Sequence, residues 1–596
     1  MATTEKEPVV GSGNIVTYGG LHGDKLMYAI VAIATTGFSL FGYDQGLMSG
    51  IIASDQFNSE FPAVRFDVHA GTVQGSVTAC YEVGCFFGAL AAFFIGEKLG
   101  RRKMMFGGAI VMIIGTIISI TAFGPGAPNG NVGGFVQFII GRVVTGLGNG
   151  ANTATIPSWV AETSKAHNRG FLICIEASTV AVGTVIAYWI DFGLSFVDSS
   201  VAWRFPTALQ ILFALILIGG VAVLPESPRW LLAHGHDHEC LRVMAALDSK
   251  SEDDPVAIAD KNKVSDALAA QIAAKANSSK DILKGGKNQH FRRAMVGAST
   301  QLFQQIGGCN AVIYYSTVLF KNQIGLENTL SLILGGVLSI VYAMFALTSF
   351  FLVERVGRVK LFLIGTVGQA VAMFITFGCL LPGDAQSAKG AAFGLYFFIA
   401  FFGATWLPLP WLYPAELNSM SVRTQANAIS TMVNWLFNFT VVQVLPTMTA
   451  SIGAYTFLFF GAMNIVFLPF IWFFYPETTN RSLEEIDVIF AHAHIHKRRP
   501  TLVAEELPKL TDFQVQELTD RYDIHGGAAD TENPSAYGAA ASGADHTSAL
   551  PPAEPKDHPD YNPDGTRRAS AGSGEQTRVT TPSNNAEKPT TTPPQA

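Results

Sequence analysis

Gly96-Glu97-Lys98-Leu99-Gly100-Arg101-Arg102-Lys103 is a charged loop between two long apolar runs, and much of it recurs as Glu354-Arg355-Val356-Gly357-Arg358-Val359-Lys360. Glu97, Gly100, Arg101 and Lys103 match Glu354, Gly357, Arg358 and Lys360 at a displacement of roughly 257 residues. Two further motifs repeat at nearly the same displacement. Ala161-Glu162 followed by Arg169 returns as Ala415-Glu416 followed by Arg423, and Pro225-Glu226-Ser227 returns as Pro476-Glu477-Thr478. Three motifs sharing one displacement describe a duplicated unit.

The unit is a set of membrane spans. Of 596 residues only 14% are charged and 49% are hydrophobic, too little charge to cover a soluble protein of this length. Apolar runs of about 20 residues, the length that crosses the hydrocarbon core, recur near 27–51, 72–95, 104–123, 132–152, 170–193 and 203–224. Six more follow near 293–320, 329–353, 360–381, 390–415, 422–445 and 453–475. The expected fold is an all-α membrane protein with twelve transmembrane helices in two pseudo-symmetric six-helix halves, 27–225 and 293–476. A site between such halves can face either side of the membrane in turn. Residues 226–292 read as a cytoplasmic linker with short helices, including an amphipathic pattern at 261–275. Residues 1–26 read as a cytoplasmic N-terminal segment without a cleaved signal. The tail, 477–596, is expected to be disordered from about 499, where Pro, Thr, Ser, Gly and Asp replace large apolar residues.

Orientation comes from the duplicated loop. It carries four basic residues against one acid in the first copy and three against one in the second, which places both copies, and with them both termini, on the cytoplasmic side. The six cysteines include no CxxC pair, so neither a disulfide nor a metal site is expected. No cofactor and no nucleic-acid partner is implied. No nucleophile stands beside a base and no phosphate-binding loop opens a helix, so an enzyme is not expected.

With these residues in view, the chain resembles the sugar-porter branch of the major facilitator superfamily from about residue 25 to 490. The resemblance rests on Phe41-Gly42-Tyr43-Asp44-Gln45-Gly46, Gly141-Arg142, Pro225-Glu226-Ser227-Pro228-Arg229-Trp230, Gln304-Gln305 with Asn310 and Tyr314-Tyr315, and Pro476-Glu477-Thr478. Gly148-Asn149-Gly150 and Ala187-Tyr188-Trp189-Ile190-Asp191-Phe192-Gly193 are similar to a fungal group that includes glycerol-proton symporters and hexose carriers. The resemblance implies carriage of a monosaccharide or small polyol across a cell membrane by a monomer, with proton symport. A facilitated-diffusion carrier is the nearer alternative. A non-transporting nutrient sensor, suggested by the long tail, is the one from another class.

Sugar hydroxyls both donate and accept, so a site for them needs amides and aromatic faces. Gln304, Gln305 and Asn310 on one apolar helix suit that role, with helix-to-helix glue as the alternative. By resemblance Tyr314, Trp411 and Asn434 join them, an interfacial position being the other reading of Trp411. Two family positions differ: the fifth-helix Gln is Ala177 and the eighth-helix Asn is Tyr342, while the neighbouring Glu176 could act as acceptor, titrating group or salt-bridge partner.

Asp44 is a carboxylate inside a membrane helix, where insertion costs about 2.5 to 3.5 kcal/mol. Its expected partner is Arg142, either for proton coupling or as a permanent ion pair. Glu97, Arg101, Glu162, Arg169, Glu226 and Arg229, with Glu354, Arg358, Glu416, Arg423 and Glu477, fit the family's gating clusters at helix ends. They read as a latch that holds the outward-facing state and breaks for inward opening.

Overall fold

Apolar runs long enough to span a bilayer form helices because no other element except a closed barrel satisfies the backbone internally in lipid. The computed structural model describes residues 15–62, 70–123, 131–164, 169–262, 264–265, 286–419, 422–522 and 524, within one compact unit, Met1–Ala528. Every named regular element among them is helical.

The first half contains α1 (Gly23–Ala53), α2 (Ala70–Leu99), α3 (Arg101–Ile120), α4 (Asn131–Thr163), α5 (Arg169–Leu194) and α6 (Val201–Val223). The second contains α7a (His290–Ile306) and α7b (Cys309–Asn322), α8 (Asn328–Val356), α9 (Arg358–Leu380), α10a (Ala385–Phe401) and α10b (Leu409–Leu417), α11 (Arg423–Ile452) and α12 (Tyr455–Phe474). Ten spans qualify as membrane-crossing by length and composition alone. The other two are α4, which carries Arg142, Asn149 and Asn152, and the broken α7. Polar residues lower the apolar character of α4, the break leaves each part of α7 too short to span, and both turn out to carry the site.

The duplication extends to packing. In the first half α1 packs on α5, α2 and α3 on α4, and α3 on α6; in the second, α7a packs on α11, α8 and α9 on the α10 span, and α9 on α12. The halves meet along α2 with α11, α5 with α8, and α1 with α7b. Glycine makes the close approaches within the first half: a Cβ at Gly84, Gly146 or Gly150 would strike the facing backbone of α2 or α4. At the end away from the charged loops, Gln443 of α11 donates to the Thr72 carbonyl at 3.2 Å and to Ser76 Oγ at 3.1 Å, joining α11 to α2. Large apolar side chains such as Phe94, Ile114, Phe351, Val371 and Trp472 remain on the outside of the bundle. That is the surface expected of a protein solvated by lipid.

Residues 228–247 form the helices Pro228–Ala233 and Asp237–Leu247. Most of the 261–275 pattern lies outside the described residues. The tail boundary needs correction. After α13 (Leu483–Ile495) the chain continues in α14 (Pro500–Glu506) and α15 (Asp512–Arg521). Val503, Ala504 and Leu507 pack on Ile489 and Ala493, and Val515 and Leu518 pack on Val488 and Ala491. These spaced apolar residues find a partner face on α13, so order persists well beyond 499.

Candidate functional site

The site begins where two helices break. The seventh span is interrupted between Ile306 and Cys309, with Gly308 at φ +98°, a conformation that favours glycine. The tenth contains a π-helical turn, Phe402–Trp406, followed by Pro408, Pro410 and Pro414, whose rings remove backbone donors. Carbonyls are thereby left without helical partners at membrane depth, and side chains of α7a supply them. Gln304 Nε2 donates to the Trp406 carbonyl at 2.7 Å, and Gln301 Nε2 donates to that of Pro410 at 2.7 Å.

From these anchors a ladder of amides runs toward the first half. Asn434 Nδ2 donates to Gln301 Oε1 at 2.6 Å and to Gln304 Oε1 at 3.1 Å. Gln305 Nε2 donates to Gln304 Oε1 at 3.3 Å, and Asn310 Nδ2 donates to Gln305 Oε1 and, at 2.8 Å, to Asn438 Oδ1. Gln45 of α1 then donates to Asn310 Oδ1 at 3.5 Å. All seven residues are buried. Gln45 Oε1, Asn434 Oδ1, Asn438 Nδ2, the Tyr314 hydroxyl and the Trp435 indole nitrogen have no hydrogen-bond partner among the described residues. Aromatic rings of both halves stand alongside: Phe38 meets Trp411 edge-on at 5.4 Å, and Phe41 meets Trp435 at 4.9 Å.

Asp44 and Arg142 lie together, both almost fully buried. Both guanidinium NH groups donate to the carboxylate, Nη2 to Oδ2 at 2.9 Å, and Gln210 of α6 donates to Oδ1 at 2.9 Å. The guanidinium also rests 4.6 Å above the ring of Tyr81. Such an arrangement compensates a buried charge by pairing, hydrogen bonding and a cation–π contact together.

The charged loops form two matching clusters. Arg101 pairs with Glu162 at 2.9 Å and Glu97 at 3.3 Å; Arg358 pairs with Glu416 at 2.7 Å and Glu354 at 3.0 Å. Glu226 accepts from the backbone N–H of Arg101 at 3.1 Å and of Arg102 at 3.0 Å; Glu477 does the same for Arg358 at 2.9 Å and Val359 at 3.0 Å. Each acid thus caps the positive end of α3 or α9, where backbone donors lack helical partners. The preceding proline carbonyls are bound too, Pro225 by Trp159 Nε1 at 3.2 Å and Pro476 by the Tyr413 hydroxyl at 2.7 Å. These pairs all lie within a half. The two clusters approach each other through Gly170 of α5, where an added Cβ would lie 3.0 Å from Glu354 Oε1. Arg229 lies in the field of Glu162 and Glu484, and Arg423 donates to the Asn418 carbonyl at 3.2 Å. The Arg169 side chain lies outside the described residues.

Ala177 and Tyr342, the two departures from the family pattern, are both buried, and Glu176 is buried with neither oxygen hydrogen-bonded. Among the described residues Glu176 has no salt bridge. Sequence reasoning missed Gln45, Tyr81, Glu82, Gln210, Gln301 and Asn438. Gln301, one turn before Gln304, and Glu82, an acid within an apolar run, were visible by the same argument that singled out Gln304 and Asp44.

Residues 29–490 match the family model described as sugar (and other) transporter. The "Sugar transporter STL1" of Saccharomyces cerevisiae is 48% identical over 88% of this chain and 91% of its own length. The "Major facilitator superfamily transporter mfsA" of Aspergillus fumigatus is 45% identical over 83% and 92%. Among solved structures, the proton:xylose symporter XylE bound to 6-bromo-6-deoxy-D-glucose superposes with a TM-score of 0.68 at 23% identity, covering 79% of this chain and 100% of that one. The inward-open XylE from E. coli gives 0.62 at 23% identity, covering 78% and 99%. Two similar halves, twelve spans and an amide-lined seam thus agree with sequence kinship over most of the chain, which belongs to the sugar transporter family of the major facilitator fold and is a multi-pass membrane carrier, not an enzyme.

Proposed function

We propose that this protein carries a monosaccharide or small polyol across the cell membrane by alternating access, with both termini in the cytoplasm, and that a proton accompanies the substrate through Asp44 and Arg142. The observation that carries the reading is the amide ladder. Its unpartnered Gln45 Oε1, Asn434 Oδ1 and Asn438 Nδ2 include both acceptors and a donor, the mixture that hydroxyls require. Trp411 and Trp435 stand beside it as apolar faces for the C–H surface of a sugar. Tyr314 adds a hydroxyl.

A substrate bonded to the second-half amides and to Gln45 would replace the Gln45–Asn310 contact, so binding and the relation between halves are coupled. Asp44, when ionised, holds Arg142. When the pair separates, a carboxylate left alone at membrane depth favours protonation. Proton binding is thereby tied to the outward-facing form. The clusters around Arg101 and Arg358 brace the helix ends during rocking and release for inward opening. The xylose carrier's description as a proton symporter accords with this reading, although its kinship here supports the fold alone.

Uptake of labelled glycerol, D-glucose, D-xylose and a disaccharide by transporter-deficient cells, with and without a proton uncoupler, tests the proposal. Uncoupler-sensitive accumulation of one of the first three is expected. Signalling without uptake of any probe would contradict carriage and favour a sensor.

A further inference from the structure

Glu82 of α2 is fully buried, and neither carboxylate oxygen has a hydrogen-bond partner among the described residues. Glycine contacts hold α2 directly on α4: Gly146 faces the Tyr81 carbonyl and Gly150 that of Cys85. The next residue after Tyr81, whose ring supports the Arg142 guanidinium, is therefore set beside the Asp44–Arg142 pair. The charged and titratable groups around Glu82 are Arg142 of α4, Asp44 of α1, Tyr314 and Tyr315 of α7b, and Cys80, Tyr81 and Cys85 of α2 itself. The Tyr314 hydroxyl faces Glu82 and the Tyr81 hydroxyl faces Cys85, both beyond hydrogen-bond geometry.

This set contains two carboxylates and one cation. An uncompensated charge at this depth is strongly disfavoured, so the set is neutral when it holds one proton. Asp44 is already bonded by both guanidinium NH groups and by Gln210. Glu82 has no such support and is the carboxyl that takes the proton.

We propose that Glu82 is a second proton-binding residue of the carrier, sharing Arg142 with Asp44. In the arrangement seen, Glu82 is a neutral acid and Asp44 an ion bound to Arg142. When Arg142 turns from Asp44 to Glu82, the O–H bond on Glu82 breaks and one on Asp44 forms, the proton passing directly or through the intervening hydroxyls; on the return Asp44 releases that proton to one side of the membrane as Arg142 re-pairs with it, and Glu82 takes a new proton from the other side. The set is neutral before and after, with one proton, one carboxylate and one guanidinium. Arg142 is thus never left unpaired while the halves rock, and the proton's position reports which carboxylate the arginine holds.

This inference rests on the symport reading above, and the test separates the two. The full chain is reconstituted in liposomes containing a pH-sensitive dye, with glycerol and D-glucose as probes. The wild type should acidify the lumen when probe is added outside. Glu82→Gln should retain probe counterflow but reduce acidification to the leak of protein-free liposomes, and Glu82→Asp should restore it. Wild-type acidification in Glu82→Gln overturns the role of Glu82 while leaving symport intact. Counterflow without acidification in the wild type overturns both. Should Glu82→Gln fail to fold, infrared spectra of the wild type and Glu82→Asp decide: a protonated-carboxyl band at neutral pH should shift between them, and an unshifted band overturns the assignment.

Discussion

Gln45 on the first helix donates its amide to Asn310 on the seventh at 3.5 Å, joining the first half of the molecule to an amide ladder that otherwise belongs to the second. Asn310 is the ladder's last rung, since its own amide is already committed to Gln305 and Asn438. The bond is long, and Gln45 Oε1 has no partner. On the proposed reading, a ligand hydroxyl entering here would satisfy Gln45 and Asn310 at once and so would contact both halves at their junction.

Replacing Gln304, Gln305 or Asn310 by Ala should raise the half-saturating substrate concentration with the protein still at the membrane. A lost bond to a buried polar group costs about 1 to 3 kcal/mol, equivalent to roughly a 5- to 150-fold weaker affinity. Gln304→Ala should also lower thermal stability, because its amide binds the Trp406 carbonyl at 2.7 Å. Unchanged uptake kinetics in all three variants would remove these amides from the site.

Arg101→Gln and Arg358→Gln should shift the population toward inward-facing forms and slow turnover while sparing substrate recognition. Each change removes the cation shared by two acids. Cysteines placed between the outer ends of the second and eleventh helices, near Thr72 and Thr447, should label more slowly from outside in both variants. Unaltered labelling would show that the clusters have no gating role.

Gly100 and Gly357 hold φ of +86° and +97°, and an added Cβ would lie 2.7 Å from Glu226 Oε2 and 2.9 Å from Glu477 Oε2. Alanine at either position should therefore cost backbone strain of about 1 to 3 kcal/mol and also displace the acid capping the following helix. Gly235, at φ +76° with nothing within 4 Å, supplies the control. Thermal unfolding in detergent should rank Gly100→Ala and Gly357→Ala below Gly235→Ala; equal midpoints would contradict the capping role.

The helices after the last span should loosen in acid. Burial, followed by the nearby His496 and Arg498 charges, lowers the His492 pKa from the ordinary 6.5, and the ring is bonded to the Tyr522 hydroxyl at 2.8 Å. A histidine with a depressed folded pKa is stabilising as the neutral form. That contribution is complete above 6.5 and is lost as pH falls from there toward the folded pKa. Protection of amides over Asp512–Arg521, measured against their intrinsic exchange rates at each pH, should fall between about pH 7.5 and about pH 5.5, and His492→Gln should flatten the dependence. An equal pH response in that variant would place the sensitivity elsewhere.

The duplicated loop made the two halves legible, because a repeated motif is a property of sequence alone. Gln304, Gln305 and Asn310 were legible because amides within apolar runs are costly unless paired, whereas Asn434 came only from the family resemblance. Gln45 and Asn438 were overlooked because their partners lie on other spans, and only tertiary structure joins them. The π-helical turn at Phe402–Trp406 left no local mark beyond the following prolines, yet it supplies the Trp406 carbonyl that anchors the ladder. The tail helices were lost in a reading of composition averaged over about 100 residues, in which Val503, Leu507, Val515 and Leu518 are outnumbered by polar neighbours.

The central claim, that a proton moves with substrate through Asp44 and Arg142, is tested most directly by Asp44→Asn, which imitates the protonated acid. Labelled substrate is followed in transporter-deficient cells as uphill accumulation across an imposed pH gradient and as downhill exchange at equal pH. The account predicts that Asp44→Asn loses accumulation and its pH dependence while exchange continues. Wild-type uptake insensitive to both external pH and uncoupler, or undiminished accumulation in Asp44→Asn, would contradict it.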